Sequence, residues 1–248
     1  MITSAQNEKL KLIRRLGRRR SREREGLFVA EGEDLLAAAR AAGAEPVELL
    51  TAAGEGLGGT EVEPALLDRF SKLGSGTRAI GVWPERWADE VVGPCAYLHG
   101  VTDPGNVGTV VRTAFALIGG TVVLGPGSAD PFGAHAVRAS MGAVFTEPLL
   151  RGGIEATPEP RAALVARGGG PLEALKGAAT ICLGAEREGL PDEVLERCDL
   201  TVTIPLRERA ESLNVAAAAA IALQRISEGA ARGKPSGKPK YGAAGEGE

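Results

Sequence analysis

Hydrophobic and polar positions follow two different rhythms along this chain of 248 residues. Short uninterrupted apolar runs predict strands, and apolar residues spaced three or four positions apart predict helices. In the first part of the chain, the pattern predicts helices at 4–24, 32–43 and 63–74 and strands at 27–30, 46–51 and 77–83. This alternation indicates a small α/β domain at 1–85, and residues 86–94 then serve as a linker.

From residue 95 the pattern starts again, with six apolar runs that predict strands. These runs do not alternate with polar residues, as is typical of strands that helices cover on both faces of a parallel sheet. The predicted strands lie at 95–101, 121–125, 147–150, 162–166, 180–185 and 201–205, and the predicted helices at 106–118, 132–142, 171–176, 191–197 and 212–228. We expect an α/β domain at 95–228, with a mostly parallel sheet flanked by helices, and a disordered tail at 229–248.

Composition narrows the class of protein. No window of about 18 uncharged apolar residues occurs, so we expect no membrane span. The N-terminal stretch lacks the features of a signal peptide, and the three cysteines have no CxxC spacing. We therefore expect a cytoplasmic protein with buried thiols and no metal. The only histidines, His99 and His135, offer little to a histidine metal centre or a Ser–His triad.

The charge distribution points to a possible RNA contact near the start of the chain. The net charge of −3 does not indicate a nucleic-acid-binding protein, but residues 1–25 carry nine lysines or arginines against three glutamates. Charge alone fits a solvated helix face and a contact with RNA phosphates equally well. No aromatic residue precedes Phe28, so we expect any contact to be with the RNA backbone. The candidate RNA-binding residues are Arg14, Arg15, Arg18 and Arg19.

Three patches that follow predicted strands carry most of the candidate chemistry. They are DPGNVGTVVRTA at 103–114, LGAEREGLP at 183–191 and IPLRERAESLNVA at 204–216. Ligand sites in open α/β sheets form where strands end and loops begin, so we expect the three patches to meet in one site. No GxGxxG follows a strand and no GxxxxGK[ST] is present, which disfavours a dehydrogenase or an NTPase.

Several residues of the patches have a structural as well as a chemical interpretation. Asn106 can cap the helix that starts beside it. Arg112 lies among apolar neighbours, so we expect it to be paired or directed into a cleft. Ser212 is a suitable N-cap for the last helix, and Asn214, just inside that helix, favours a contact with a ligand or loop. The alanine run of this helix has no side suited to water, and we expect it to pack against a sheet or a second subunit.

Together, the patches resemble the three motifs of the SpoU (TrmH-like) family of RNA ribose 2′-O-methyltransferases. The likeness consists of an Asn and Arg in the first motif, a G-x-E-x-x-G loop in the second, and I-P followed by S-L-N-V in the third. RASMGAVF at 138–145 resembles a further segment of the family. Residues 1–85 resemble the ribosomal-protein-like RNA substrate-binding domain found in many members. The resemblance covers roughly residues 1–228.

The resemblance implies a fold, a cofactor and an oligomeric state. It implies a C-terminal deep trefoil knot of the SPOUT type in the domain at 95–228. It also implies S-adenosylmethionine as the cofactor, held by the knotted loops, and a homodimer with active sites at the interface. The implied cofactor-binding residues are Leu183, Gly184, Ile204 and Leu213.

The resemblance further implies methyl transfer to a ribose 2′-hydroxyl of structured RNA, with rRNA preferred over tRNA because of the leading domain. The implied catalytic residues are Asn106, Arg112, Glu186, Ser212 and Asn214. Family proposals make the arginine of the first motif the base, but a guanidinium stays protonated. We therefore expect Arg112 to grip a phosphate bidentately and to stabilise charge on the 2′-oxygen, with Asn106 and Glu186 orienting Arg112 and the ribose.

Some features depart from the family pattern. Leu206, Glu208 and Ala216 stand where the third motif usually has Met, Gly and Ser, and residues 151–161 lack a convincing helix. Three rival functions are a non-catalytic RNA-binding or ribosome-assembly factor, a base methyltransferase on the same scaffold, and an enzyme that uses NAD or ATP. The presence of Arg112 and Asn214 disfavours the first, N-x-G-x-x-x-R with S-L-N disfavours the second, and the missing phosphate loop disfavours the third.

Overall fold

The chain folds into two β-sheets flanked by helices. The computed structural model describes residues 1–72, 74 and 76–230. Of the predicted tail at 229–248, only the first two residues are described, and they complete the last helix. The remainder of that prediction, 231–248, lies outside the described residues.

The first sheet has four strands in the order β1-β4-β2-β3, in which only β2 and β3 are parallel. Its strands are β1 (Leu27–Glu31), β2 (Glu48–Ala52), β3 (Thr60–Val62) and β4 (Ala79–Pro84), and its helices are α1 (Glu8–Leu16), α2 (Arg19–Glu25), α3 (Glu33–Ala41) and α4 (Pro64–Asp68). Strand β3 was not predicted, because three residues are too few to set up a recognisable pattern.

The helix predicted at 4–24 is two helices, and the prediction was wrong in this respect. The buried apolar positions Leu10, Ile13 and Leu16 end one residue before Gly17, where α1 stops. Helix α2 begins at Arg19, and Arg22 on this helix is buried. The helix predicted at 63–74 also ends early, at Asp68, because the Asp68 carboxylate accepts hydrogen bonds from the backbone of the following loop.

The second sheet has six strands, all parallel, in the order β10-β8-β9-β5-β6-β7. The strands are β5 (Cys95–Leu98), β6 (Val122–Leu124), β7 (Leu149–Arg151), β8 (Arg161–Leu164), β9 (Thr180–Leu183) and β10 (Leu200–Val202), and the helices are α5 (Pro104–Leu117), α6 (Ala134–Ser140), α7 (Asp192–Leu195) and α8 (Val215–Ala230). Short 3₁₀ turns lie at Ala143–Phe145, Ile154–Ala156 and Leu172–Gly177. The predicted α/β fold with a parallel sheet between helices is confirmed.

Two helix caps differ from those predicted. Asp103, not Asn106, caps α5, because its Oδ1 accepts the backbone N–H of Asn106 at 2.8 Å. Helix α8 begins at Val215, and Asn214 caps it by accepting the N–H groups of the second and third helical residues. Ser212 therefore lies outside the helix. Because Asp103 is the cap of α5, the Asn106 side chain is available for other contacts.

The alanine-rich helix α8 buries only one side. Ala219, Ala222 and Leu223 are fully buried, whereas Ala217 and Ile221 are exposed. Within one chain this helix therefore does not bury every side, and the expected packing against a second subunit stays a prediction. An alanine methyl group presents little apolar surface, so its exposure costs little free energy.

The two sheets share one hydrophobic core. Phe28 and Trp83 of the first sheet contact Phe132 and Phe145 of the second part, with ring centroids 4.9 to 5.8 Å apart. The segment predicted as a linker packs on this core as well, since the Trp87 ring meets Phe132 edge-on at 5.1 Å. The core thus brings helices α1 and α2 close to the carboxyl edge of the second sheet.

Candidate active site

Loops that follow parallel strands meet at one edge of the second sheet. The carboxyl ends of parallel strands lie on the same side, which is where ligands bind in open α/β sheets. A cavity of about 410 Å³ lies between the loops that follow β8, β9 and β10. Its volume falls within the range of small-molecule sites, about 300–1,000 Å³.

The four predicted cofactor-binding residues all line this cavity, namely Leu183, Gly184, Ile204 and Leu213. Gly184 has no room for a side chain, because a Cβ atom would lie 2.2 Å from the backbone carbon of Gly189. Reciprocal backbone hydrogen bonds between Ala185 and Gly189, of 2.9 and 3.1 Å, close this loop tightly. Gly189 has a φ of +72°, a conformation that favours glycine.

The three motifs are joined by side-chain hydrogen bonds. Asn106 Nδ2 donates to Glu186 Oε1, and Asn214 Nδ2 donates to Asn106 Oδ1 at 3.0 Å. A carboxylate only accepts, so the amide NH₂ of Asn106 must face Glu186 and its oxygen must face Asn214. The structure thereby brings Asn106, Glu186 and Asn214 into one hydrogen-bonded group, and Glu186 also lines the cavity.

Arg112 stands apart from this group. It is exposed on α5, it does not line the cavity, and it has no hydrogen bond or ion pair with any other residue that the structure describes. The expectation that Arg112 is paired or directed into a cleft is not met within this chain. Asn106 and Glu186 contact each other, so they do not orient Arg112 as predicted. The Asn106 amide instead makes its hydrogen bonds with Glu186 and Asn214.

The third motif lies along the cavity without closing it. Ser212 and Leu206 line the cavity, whereas Glu208 is exposed and lies outside it. Leu206 thus takes the place of the usual methionine at the wall. The charge of Glu208, which departs from the family pattern, is accommodated in solvent.

Sequence reasoning missed the loop that follows β8. Residues 164–167 line the cavity opposite the second motif. The strand was predicted, and its carboxyl end was a signal that could have been used. The position of β8 between β9 and β10 is a property of the tertiary fold, and it is this position that brings the loop to the site.

The four arginines predicted to bind RNA are all exposed on α1 and α2 or in the turn between them, away from the cavity. Arg14 lies 5.2 Å above the Phe70 ring, and Arg19 pairs with Glu23 at 2.9 Å. The buried Arg22 instead pairs with Asp130 at 2.6 Å, a contact between α2 and the loop that follows β6. No signal in the sequence separated Arg22 from its neighbours.

Two kinds of feature are absent from residues 1–72, 74 and 76–230. These residues contain no cluster of three His, Cys, Asp or Glu side chains suited to a metal ion. They also contain no helix with the length and hydropathy that a membrane span requires. Cys95 and Cys182 are buried free thiols, and Cys198 is half-buried. Burial raises the pKa of Cys95 to about 12, so this thiol is inert at neutral pH.

Family models and known proteins agree with this architecture. Residues 94–224 match the model of the SpoU rRNA Methylase family, and residues 7–72 match the MRM3-like substrate binding domain. The first match covers more than half of the chain, and the chain therefore belongs to the SpoU rRNA methylase family. The resemblance read from the three motifs is confirmed at this level.

Two curated relatives and one solved structure are representative. The chain is 35% identical over 138 residues to the 23S rRNA (guanosine(2553)-2'-O)-methyltransferase RlmP of Bacillus subtilis (strain 168), which covers 52% of this chain and 56% of that protein. It is 32% identical over 157 residues to the 23S rRNA (adenosine(1067)-2'-O)-methyltransferase of Streptomyces laurentii, covering 56% and 57% of the two chains. The chain thus spans little more than half the length of these relatives.

The solved structure is the AdoMet-bound rRNA methyltransferase from Sinorhizobium meliloti. The likeness has a TM-score of 0.80 at 28% identity, and it covers 92% of this chain and 97% of the other. This likeness includes both sheets.

Proposed function

We propose that this protein transfers a methyl group from S-adenosylmethionine to a ribose 2′-hydroxyl of structured RNA. The observation that carries the proposal is the hydrogen-bonded group Asn106–Glu186–Asn214, which stands beside a cavity of cofactor size. One residue of each motif takes part in this group, so the three motifs form one site.

The cavity fits the proposed cofactor. Its apolar wall, with Leu183, Ile204 and Leu213, suits the adenine ring, and the bare backbone at Gly184 allows close approach of a ligand. S-adenosylmethionine supplies a methyl group on a sulfonium that is its own leaving group. The solved relative from Sinorhizobium meliloti, described as AdoMet-bound, supports this choice.

The residues of the site divide the remaining tasks. Asn106 and Glu186 hold the ribose so that its 2′-oxygen lies in line with the methyl carbon, and such positioning supplies a large share of the rate enhancement. Arg112, exposed and without a partner among the described residues, grips the adjacent phosphate and stabilises charge that develops on the 2′-oxygen. Ser212 and Asn214 border the substrate side, and the proton leaves to phosphate or water.

We also propose a homodimer. Arg112 shares the exposed side of α5 with Phe115, which is 52% exposed, and Ile221 is exposed on the adjacent helix α8. A second copy that covered this apolar surface would convert the exposed position of Arg112 into a cleft. Sedimentation equilibrium of the wild type and of Phe115→Glu tests this, and a wild type that stays monomeric at high concentration refutes it.

A trefoil knot is a further part of the proposal. The chain leaves β10 at the outer edge of the second sheet and forms α8 against α5, near the middle of the sheet. On the way, Ile204, Leu206, Ser212 and Leu213 line the same cavity as the loops that follow β8 and β9. This path supports threading of the C-terminal segment through those loops, and knots of this kind are rare exceptions to normal chain connection.

We propose rRNA rather than tRNA as the substrate, in the cytoplasm. The two relatives described above are named as 23S rRNA methyltransferases, and residues 7–72 match a substrate binding domain. The domain division at 1–85, 86–94 and 95–228 is retained in the proposal. The exposed arginines of α1 and α2 would contact the RNA backbone.

The deciding experiment determines which RNA receives the methyl group and whether it is attached to the ribose or to the base. The protein is incubated with methyl-labelled S-adenosylmethionine and with rRNA or tRNA made by transcription, and the digested nucleosides are analysed by mass spectrometry. We expect label on the ribose of rRNA. Label on a base would favour a base methyltransferase, and no label on any RNA would favour a non-catalytic RNA-binding factor.

Arg112 provides a second test. Loss of a bidentate contact to developing charge predicts that Arg112→Lys and Arg112→Gln lower kcat by about 10²- to 10³-fold. Arg40→Gln, which changes an exposed arginine of α3, serves as the control. Full activity of Arg112→Lys would contradict the bidentate grip.

A further inference from the structure

A second cavity lies at the junction between α2 and the second sheet. Its volume is about 370 Å³. Arg19 of α2, Trp87, Arg151 at the end of β7 and the loop 124–131 after β6 line it. None of these residues belongs to the three motifs, and none of them lines the cavity of the candidate active site.

Two arginines that line this cavity come from different parts of the chain, and both lie beside one carboxylate, that of Glu23. Arg19 Nε lies 2.9 Å from Glu23 Oε1, and Arg151 Nη2 lies 3.7 Å from the same oxygen. Both guanidinium groups are about half exposed, so an incoming anion can reach them. Guanidinium pairs bind phosphate oxygens as they bind carboxylates, and Glu23 therefore occupies a position suited to phosphate.

Asp130, the acidic residue that lines this cavity, does not compete for these arginines. Asp130 Oδ2 accepts from the buried Arg22 at 2.6 and 3.1 Å, and its Oδ1 accepts the Phe132 N–H at 2.9 Å. Its charge is thereby neutralised inside the protein. Glu23 is the carboxylate that faces the pair.

Arg151 is held in place before any ligand arrives. Its guanidinium carbon lies 4.5 Å above the centre of the Trp87 ring. The ring is fixed in turn, because Trp87 Nε1 donates to Glu85 Oε2 at 3.1 Å and its face meets Phe132 edge-on. An arginine ordered in advance loses less side-chain entropy on binding.

The position of the cavity relates it to the candidate active site. Strands β6 and β7 follow β5 in the sheet, so their carboxyl ends lie at the same edge as Asn106. Two strand spacings of about 4.8 Å place Arg151 roughly 10 Å along this edge from the end of β5. A neighbouring nucleotide of a bound RNA can span that distance.

We propose that a phosphodiester of the substrate RNA displaces Glu23 and binds between Arg19 and Arg151. This proposal rests on the proposed function, because it extends the RNA contact beyond the reacting ribose. Glu23 then acts as an internal competitor that lowers the affinity for RNA lacking a correctly placed phosphate.

The test uses the full chain and in-vitro-transcribed 23S rRNA, with RNA affinity measured by filter binding at several salt concentrations. Glu23→Gln keeps the shape and removes the competing charge, so we expect its Kd to fall about three- to tenfold. Arg151→Gln removes a phosphate contact, so its Kd rises about tenfold and its salt slope falls by roughly 0.7 to 1. In the double variant the gain from Glu23→Gln disappears, because one arginine of the pair is missing.

Glu196→Gln and Arg197→Gln are the matched controls, since both residues are exposed and precede β10 at the opposite edge of the sheet. Calorimetric titration with S-adenosylmethionine shows whether each variant is folded. The proposal is overturned if folded Glu23→Gln binds RNA no more tightly than Glu196→Gln, or if folded Arg151→Gln matches Arg197→Gln. If the wild type methylates ribose but the variants bind RNA as the controls do, the phosphate site is refuted and the proposed function is left intact. A wild type that labels no RNA instead refutes the proposed function.

Discussion

At the scale of single residues, Glu147 is a carboxyl group that the fold removes from water, and within the described part of the chain no cation acts on it. Its side chain is 4% exposed, and its Oε1 has no hydrogen-bond partner among the described residues. Burial raises the pKa of Glu147 from its ordinary 4.5 to about 8, although a hydrogen bond from the Gly120 backbone opposes the change. The folded state therefore holds a proton that the unfolded chain releases.

This carboxyl group should make stability depend on pH. The stabilising contribution of this bound proton is fully present below pH 4.5 and is lost as pH rises through about 8. Over this range the free energy of unfolding falls by up to about 1.4 kcal/mol per pH unit. Glu147→Gln removes the charge, so the variant should gain at least about 1 kcal/mol relative to wild type between pH 6 and pH 9. Urea denaturation at both pH values measures this, with the exposed Glu196→Gln as control. Parallel behaviour of Glu147→Gln and the wild type would refute the assignment.

At the scale of elements, the start of α8 serves the helix and the candidate site at once. Asn214 Oδ1 caps the helix, and its Nδ2 donates to Asn106. Asn214→Asp keeps the acceptor and loses the donor, so we expect near-normal stability with a large loss of methyl transfer. Asn214→Ala should lose activity and also about 1 kcal/mol of stability. Melting curves and initial rates for both variants separate the two roles, and an active Asn214→Asp would show that the Asn106 contact is dispensable.

The second-motif loop offers another test at this scale. A Cβ at Gly184 would lie 2.2 to 2.4 Å from backbone atoms of Gly189 and Leu190, so the loop must move. Gly184→Ala should therefore weaken binding of S-adenosylmethionine at least about tenfold, because an ångström-scale displacement of a site is costly. Gly177→Ala is the matched control, since a Cβ there meets no atom within 4 Å. Calorimetric titration that gives equal affinities for the two variants would contradict the expected placement of the cofactor.

At the scale of the whole molecule, the two sheets are joined by a shared aromatic core and by one buried ion pair. Removal of one partner from such a pair leaves an uncompensated charge, which costs about 3–5 kcal/mol. Asp130→Asn should destabilise the protein by about this amount, because Arg22 is only 6% exposed. Arg24→Gln, which alters an exposed pair with Glu25, should be neutral.

The contacts between the two sheets also predict cooperative unfolding. Since Phe28 and Trp83 pack on Phe132 and Phe145, unfolding of either sheet exposes apolar surface that the other sheet needs to stay buried. Differential scanning calorimetry should show a single transition for the wild type. Two separated transitions would show that the sheets unfold independently.

The sequence by itself determined the six parallel strands and the family, because uninterrupted apolar runs and three short motifs are local features of the chain. It did not determine the helix starts, since Asp103 and Asn106, or Ser212 and Asn214, are equally suitable caps by type. Only the tertiary structure decided that Arg22 is buried while Arg19 is exposed, and that the loop after β8 borders the cavity. These outcomes depend on strand order and on contacts between residues far apart in the chain, such as Arg22 with Asp130, and no local pattern records them.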